Sequence, residues 1–247
     1  EVNFQKPDLV EEYNFGKEYI PSYNIAPTDV TPVVVSAGNF GAGENDEQII
    51  KPMMWGMVPP WHKGSYKSHG LSTNNCRLEG LTSSKLFGSA LRDGNRCVIL
   101  AEGFYEWQTT NSSKQPYYIF HTQDEGVKME DSSTWALARR RPNGWSGPRL
   151  LQMAGLYGAW EGEGEDCGTL YSYSVITREA DETMSWLHHR MPVFLNGEQQ
   201  LAVCTFYWCE GWVGIWGSVC PDRPLDKPHS MNLSTPTKSP NVVNLLE

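Results

Sequence analysis

The sequence predicts an α+β fold in which many short strands are combined with a few short helices. Glycine (23 residues) and proline (16 residues) are spread through all 247 positions, and such frequent turn residues favour short elements over long helices. Apolar runs rich in β-branched residues, of which 32–36 and 98–101 are the clearest, have the length and composition of buried strands. No linker rich in proline, glycine and serine divides the chain, so we expect residues 1–247 to form a single domain.

Six stretches are predicted to be strands because each is short, apolar or alternating, and bounded by turn residues: 32–36, 51–57, 98–101, 115–121, 150–161 and 170–177. Polar and apolar residues alternate through LYSYSVIT (170–177), which indicates a half-buried strand. The glycines within 150–161 suggest a β-bulge. A further short strand at NNCR (74–77) would carry Asn75 and Arg77 on one face, since successive side chains of a strand point to opposite sides.

Two helices are predicted, over 82–92 and 177–189. In the first, a serine or threonine provides the N-cap, and four apolar residues form one stripe suited to core packing: Leu86, Phe87, Ala90 and Leu91. In the second, Thr177 provides the cap, acidic residues fill the first turn, and Met184 and Leu187 form the inner stripe.

Composition argues against several classes of protein. The formal net charge of −9 disfavours a broad, non-specific affinity for nucleic acid, because lysine and arginine dominate that affinity; a local basic groove is still compatible with it. No window holds the roughly 18 apolar residues of a membrane span, and the first residues do not resemble a secretory signal. We therefore expect no membrane association.

The six cysteines are widely spaced, unlike those of a disulfide scaffold. We therefore expect reduced thiols in a nuclear or cytoplasmic protein. Cys204 and Cys209 lack the close spacing and the nearby histidine pair of a usual zinc site. We expect neither a metal ion nor a cofactor.

The stretch CVILAEGFYEWQ (97–108) changes abruptly from an apolar strand to a segment in which Glu102 and Glu106 lie among a glycine and three aromatic residues. Burial of a carboxylate without a partner is costly and tends to raise its pKa. A glutamate with a raised pKa is suited to proton transfer. From these residues alone, a strand end with one solvated glutamate is an equally good interpretation.

Several motifs, in this order, resemble those of the SRAP domain family, the SOS response associated peptidases: PSYNIAP (21–27), WGMVPPW (55–61) with NNCR (74–77), AEGFYEW (101–107) and HHRMP (188–192). The resemblance is clear over 21–203 and weak after 203. It implies a single α+β domain in which antiparallel strands form a barrel-like core with helices at its edge.

The resemblance also implies roles for individual residues. Glu106 and His188 match catalytic positions of the family, and six residues would bind DNA: Asn24, Pro59, Trp61, Asn75, Arg77 and Arg190. Tryptophan and proline in WGMVPPW would form an apolar wedge, and arginine suits phosphate because its forked donors match phosphate oxygens. Three of these residues also have a structural alternative: Asn24 as a turn residue, Trp61 as plain core, and Arg77 as part of a solvated strand face.

The activity implied is recognition of abasic sites in single-stranded DNA, including sites at junctions with double-stranded DNA, by a monomer. Family members begin Met-Cys-Gly-Arg, and self-removal of Met leaves an N-terminal cysteine. Its amine condenses with the ring-opened aldehyde of the abasic site, and its thiol then closes a thiazolidine, which leaves a stable protein–DNA crosslink.

This chain begins at Glu1 and has no cysteine before Cys76, so we expect crosslinking only when an N-terminal cysteine precedes it. Two alternatives stay open from the sequence: a non-catalytic module that binds single-stranded DNA, and a cysteine peptidase with an N-terminal nucleophile.

Overall fold

Short strands dominate the computed structural model, which describes residues 14, 16, 19–44, 47–110, 114–140, 145–163 and 168–196 and the backbone of 241–245. The strands are β1 (Val30–Ser36), β2 (Gln48–Trp55), β3 (Asn75–Arg77), β4 (Arg96–Ala101), β5 (Gly103–Thr109), β6 (Lys114–His121), β7 (Leu151–Gly162), β8 (Gly168–Glu179), β9 (Arg190–Pro192) and β10 (Asn241–Leu245). The described helices are α1 (Lys85–Arg92) and three 3₁₀ helices, Ala37–Phe40, Leu78–Gly80 and Ser132–Leu137. None of them is long and apolar enough to cross a bilayer.

Five strands close into a barrel in the order β2, β1, β4, β7 and β8, with β8 returning to β2. The four pairings within this order are antiparallel. The closing pair is short and parallel, with Met54 opposite Ser172 and Trp55 opposite Tyr173. The predicted α+β fold with a barrel-like core is therefore confirmed, and its strands are mainly, although not entirely, antiparallel.

Alternate residues of the barrel strands meet in one apolar cluster: Val33, Val35, Met53, Cys97, Ile99, Met153, Tyr157, Tyr173 and Val175. The packing is closest at Gly155, where a Cβ atom would lie 2.4 Å from Cδ1 of Ile99 and 2.9 Å from Sγ of Cys97. Gly155 pairs in unbroken register with Cys97 and Val175. The bulge predicted from the glycines of this strand is therefore wrong at Gly155, which is needed for room in the core.

Helix α1 covers the opposite face of the same strands. The Ser84 hydroxyl accepts a hydrogen bond from the backbone N–H of Phe87 at 3.1 Å and so caps the helix. Leu86 and Ala90 are buried against a second cluster that includes Val34, Val98 and Leu156, while Phe87 and Leu91 pack at its border. The predicted helix and its apolar stripe are confirmed, although the helix begins at Lys85.

A second, smaller sheet starts where β4 ends. β5 follows β4 after Glu102 and pairs antiparallel with β6, which in turn pairs parallel with β10. Phe104 on β5 packs with Ile119, Met184 and Met191, so this face of β5 is turned towards the segment between β8 and β9. Glu106 lies on the same face as Phe104, since side chains of a strand alternate.

The helix predicted over 177–189 is wrong. Thr177 belongs to β8, and Thr177 and Glu179 pair with Pro192 and Arg190 of β9, which requires extended backbone. The chain between these strands is a series of turns that begins at Asp181, whose carboxylate accepts the backbone N–H of Thr183 at 3.1 Å. The predicted burial of Met184 and Leu187 is nevertheless confirmed, since both side chains are buried within this turn segment.

Two short strands extend β8 beyond the barrel. β3 pairs parallel with residues 175–177 of β8, and β9 pairs antiparallel with residues 177–179. The C-terminal end of β8 therefore carries both the NNCR motif and the HHRMP motif. Apart from the backbone of β10, the region after 203, including Cys204 and Cys209, lies outside the described residues.

Candidate active site and DNA-binding surface

Glu106 and His188 are far apart in the sequence and meet at one edge of the molecule. Oε2 of Glu106 lies 4.0 Å from Nδ1 of His188, and the two side chains are 27% and 35% exposed. The other carboxylate oxygen of Glu106, Oε1, accepts the backbone N–H of Trp107 at 2.9 Å. A carboxylate beside an imidazole, both reachable from solvent, can exchange protons with a bound substrate.

Backbone contacts orient the imidazole of His188. Its Nδ1 lies 3.1 Å from the backbone nitrogen and 3.0 Å from the carbonyl oxygen of Arg190. Nδ1 accepts from that N–H when it carries no proton and donates to that carbonyl when it is protonated. The ring also contacts that of His189 in a tilted arrangement, with centroids 4.4 Å apart. Nε2 is therefore the ring nitrogen left for a substrate.

Arg190 has a different partner from the predicted DNA phosphate. Its guanidinium forms a forked ion pair with Glu79, Nη1 to Oε1 at 2.8 Å and Nη2 to Oε2 at 2.9 Å. Nη2 also donates to the carbonyl of Thr177 at 2.6 Å. Hydrogen bonding to Arg190 is the main cause that lowers the pKa of Glu79 from 4.5 to about 2. These contacts engage both Nη atoms of Arg190, while its buried Nε has no hydrogen-bond partner among the described residues, and the predicted phosphate contact of Arg190 stays a prediction.

Asn75 and Arg77 lie as predicted on one face of β3. Both are exposed, and Cys76 between them is buried in the core. The parallel pairing with β8 sets Asn75 opposite Val175 and Arg77 opposite Thr177. This amide and this guanidinium therefore stand at the end of β8 that also carries β9 and the turn with His188.

The remaining predicted DNA-binding residues differ in exposure. Asn24 is exposed, and its backbone N–H donates to the Ser22 hydroxyl at 3.1 Å. Trp61 is exposed, with Nζ of Lys85 lying 4.5 Å from its ring centroid. Pro59 is buried. The preceding residue, Val58, donates its backbone N–H to the hydroxyl of Ser172 on β8 at 2.8 Å. Pro59 as part of an exposed wedge is therefore not supported, while Trp61 is available to a ligand.

Sequence reasoning missed two tryptophans beside the Glu106–His188 pair. Trp107 and Trp186 are 52% and 36% exposed. They belong to a cleft of about 420 Å³, which we call the tryptophan cleft, lined by Trp107, Gln108, Thr109, Thr110, Ser185, Trp186, Leu187, His188 and His189. Each tryptophan lies within two positions of a predicted catalytic residue, and this proximity is the signal that could have indicated them.

Glu102, the other carboxylate of the AEGFYEW motif, lies in a separate cleft. Burial raises its pKa, as expected for a carboxylate in largely apolar surroundings. The cleft has a volume of about 400 Å³, and its other lining residues come from 135–148, including Trp135 and Trp145. In the part of the chain that the structure describes, no group of three histidine, cysteine, aspartate or glutamate side chains could hold a metal ion.

Comparisons with known proteins agree with the motifs. A family model described as SOS response associated peptidase (SRAP) matches residues 3–203. The chain is 43% identical over 191 residues to the abasic site processing protein HMCES of Xenopus tropicalis, covering 74% of this chain and 52% of that protein. It is 30% identical over 199 residues to the abasic site processing protein YoqW of Bacillus subtilis, covering 78% and 73%.

The chain spans about half the length of the vertebrate relatives that it matches. Among solved structures, a protein from Bacteroides thetaiotaomicron superposes with a TM-score of 0.56 at 18% identity, covering 78% of this chain and 68% of that one, and this likeness concerns the fold. The family model extends over most of the sequence, and so the chain belongs to the SOS response associated peptidase (SRAP) family.

Proposed function

We propose that this chain recognises abasic sites in single-stranded DNA and processes them at the Glu106–His188 pair. The observation that carries the proposal is the approach of Oε2 of Glu106 to within 4.0 Å of Nδ1 of His188 at a solvent-accessible edge. The names of the vertebrate and bacterial relatives, abasic site processing proteins, give the substrate class. Asn75 and Arg77 stand exposed at the same end of β8, where an anionic strand could be held.

The chemistry that we propose is a crosslink between DNA and an N-terminal cysteine exposed by self-removal of the initiator methionine. The cysteine amine attacks C1′ of the ring-opened sugar, and loss of one water leaves an imine. The thiolate then adds to the imine carbon while the nitrogen takes up a proton, which closes the thiazolidine. Each step moves protons, and a carboxylate and an imidazole are suited to that task.

We propose a distinct role for each of the two side chains. Glu106 accepts a proton from the attacking amine and handles protons at the sugar. His188, with Nδ1 engaged by the backbone of Arg190, uses Nε2 as acid and base for ring opening and for reversal of the crosslink. Asn24, Asn75 and Arg77 hold the site and its phosphates in this proposal.

The two described cysteines are poor substitutes for an N-terminal cysteine. Cys76 is buried in the core, and burial raises the pKa of its thiol to about 12. Cys97 is also buried, within the barrel. The thiolate is the reactive form of cysteine, and an internal residue has no α-amine. The crosslink therefore depends on a cysteine at the N-terminus of the working protein.

The first experiment compares the 247-residue chain with a version extended at its N-terminus by a segment that begins Met-Cys-Gly-Arg. Each is mixed with single-stranded DNA that carries one abasic site, and the products are separated on a denaturing gel. We expect a slow-migrating band with the extended chain alone, and its loss when the new cysteine is replaced by serine. Undamaged DNA of the same sequence is the matched control.

The other outcomes identify the alternatives. A band with neither chain would contradict the crosslinking proposal; non-covalent binding of the same DNA would then support a binding module, and cleavage of peptides without DNA would support a peptidase. A band with both chains would mean that another nucleophile, such as a lysine amine, attacks the aldehyde, which would contradict the role of the N-terminal cysteine.

A further inference from the structure

The tryptophan cleft adjoins the proposed reaction site but has no part in the chemistry derived above. His188 belongs to both, since it lines the cleft and lies 4.0 Å from Glu106. Trp107 and Gln108, the two residues after Glu106, continue into the cleft. Any strand of DNA held at the Glu106–His188 pair would therefore bring a neighbouring nucleotide to this cleft.

Trp186 is fixed in place although more than a third of it is exposed. Its Nε1 donates to the carbonyl of Thr183 at 2.8 Å, and the ring of Tyr117 meets it edge-on at 5.0 Å. The backbone carbonyl of Trp186 accepts from Nε2 of Gln108 at 3.0 Å, and the Tyr117 hydroxyl donates to Oε1 of Gln108 at 3.3 Å. These contacts hold the indole rigid before any ligand arrives.

The lining of the cleft restricts the class of ligand. Its nine residues include no lysine, arginine, aspartate or glutamate, and His188 and His189 are its titratable side chains. The rest of the lining is mainly aromatic or hydroxyl-bearing, which favours a flat ring over a simple ion. The indole N–H of Trp186 is already engaged, which leaves the aromatic face as its means of contact. Flat, uncharged rings bounded by hydroxyl groups suit an unpaired nucleobase, because every base has a π-face that stacks on an aromatic side chain.

We propose that Trp186 is a stacking platform for the base next to the abasic nucleotide. This inference rests on the proposed function, since it assumes that DNA occupies the Glu106–His188 pair. It assigns the binding of the flanking nucleotide to the turn segment between β8 and β9. The platform tolerates any base, because stacking, rather than base-edge hydrogen bonding, provides the contact.

Photocrosslinking of the unmodified 247-residue chain tests the platform directly. The probe is single-stranded DNA with one tetrahydrofuran abasic analogue, which has no aldehyde, and with 5-iodouracil at the position on its 5′ or 3′ side. Intrinsic fluorescence would not resolve the site, because the chain has ten tryptophans. We expect irradiation to join one of these two probes to the peptide that contains Trp186, and we expect no such product when 5-iodouracil lies several nucleotides away.

Binding affinities of variants provide the second measurement. Trp186→Ala should weaken binding of the tetrahydrofuran probe by about 10-fold, as expected for loss of one stacked base, while Trp186→Phe should restore most of the affinity. Trp135→Ala, in the separate cleft near Glu102, is the matched control and should bind as the unmodified chain does. Thermal unfolding of each variant establishes that it is folded.

The proposal is overturned if no product maps to the peptide with Trp186 and Trp186→Ala binds normally while the chain still prefers the abasic analogue to undamaged DNA. That result would leave the proposed function intact. If the chain shows no preference for the abasic analogue and does not crosslink to an abasic site with its N-terminal cysteine present, the proposed function fails. Trp186 would then retain a stacking role only if undamaged DNA still gave the photoproduct.

Discussion

Arg190 and Glu79, separated by 111 positions in the sequence, form a forked ion pair with N–O distances of 2.8 and 2.9 Å. The pair joins β9 to the 3₁₀ helix that follows β3. The backbone of Arg190 in turn contacts Nδ1 of His188. Glu79 is therefore linked to His188 through Arg190, and any phosphate contact of Arg190 would have to form beside this ion pair.

Glu79→Gln should flatten the acid dependence of stability. The pKa of Glu79 in the folded protein is about 2, below its ordinary 4.5, chiefly because Arg190 hydrogen-bonds to the carboxylate. A depressed pKa stabilises the fold at pH values above 4.5, and this stability is lost as the pH falls from 4.5 towards 2. Because the Glu79 side chain is 55% exposed, solvent screening limits the contribution to about 1 kcal/mol.

The measurement is the free energy of unfolding by urea at pH 7 and at pH 3, for the unmodified chain and for Glu79→Gln. The difference between the two proteins should be larger at pH 7. Glu125→Gln, an exposed residue, serves as the control and should follow the unmodified chain. Equal differences at both pH values would contradict the role of the carboxylate charge.

Glu106→Gln should slow crosslinking to an abasic site by about 10²- to 10⁴-fold, the range typical of general acid–base catalysis. Glutamine keeps the shape of the side chain but cannot take up a proton. The rate should be measured with the extended chain under single-turnover conditions, together with the affinity for the tetrahydrofuran probe. Affinity should change little, and Glu102→Gln, in the other cleft, should react at the normal rate. An unchanged rate for Glu106→Gln would remove Glu106 from the mechanism.

Arg77→Ala should weaken binding of single-stranded DNA and reduce its salt dependence. Arg77 is exposed on β3, and each phosphate contact that is lost lowers the slope of log K against log salt by about 0.7 for a single strand. Titrations at several salt concentrations measure this slope. Arg92→Ala, at the exposed end of α1, is the control. A normal slope for Arg77→Ala would mean that Arg77 touches no phosphate.

Gly155→Ala should destabilise the fold by about 1–3 kcal/mol, the usual cost of overpacking a core. The added Cβ would lie 2.4 Å from Cδ1 of Ile99 and 2.9 Å from the carbonyl oxygen of Ser174. Urea unfolding measures the change. Gly80→Ala is the matched control, because no atom lies within 4 Å of the position that its Cβ would take and its backbone suits alanine. Equal stabilities of the two variants would contradict the close packing at Gly155.

Much of the fold could be predicted because strand and helix signals are local. The apolar runs around Val33, Val98 and Ile176 are strands, and the stripe of α1 packs on the core. The failure over 177–189 has a non-local cause. The apolar spacing of Met184 and Leu187 matches a helix, but pairing of Thr177 and Glu179 with β9 extends β8 through the predicted start of that helix.

The sequence by itself determined which residues are candidates for the chemistry and where most of the strands and α1 lie, because residue type, motif order and periodicity are properties of the chain alone. Only the tertiary structure decided which residues meet. In the folded chain, Glu106 lies beside His188 and Arg190 forms an ion pair with Glu79. Pro59 is buried, and Trp186 lies in the cleft next to the proposed reaction site. The physical reason is that pairing and packing act between segments that are remote in sequence: β8 pairs with β3 and β9 beyond the barrel, and Phe104 of β5 packs with Met184 of the turn segment.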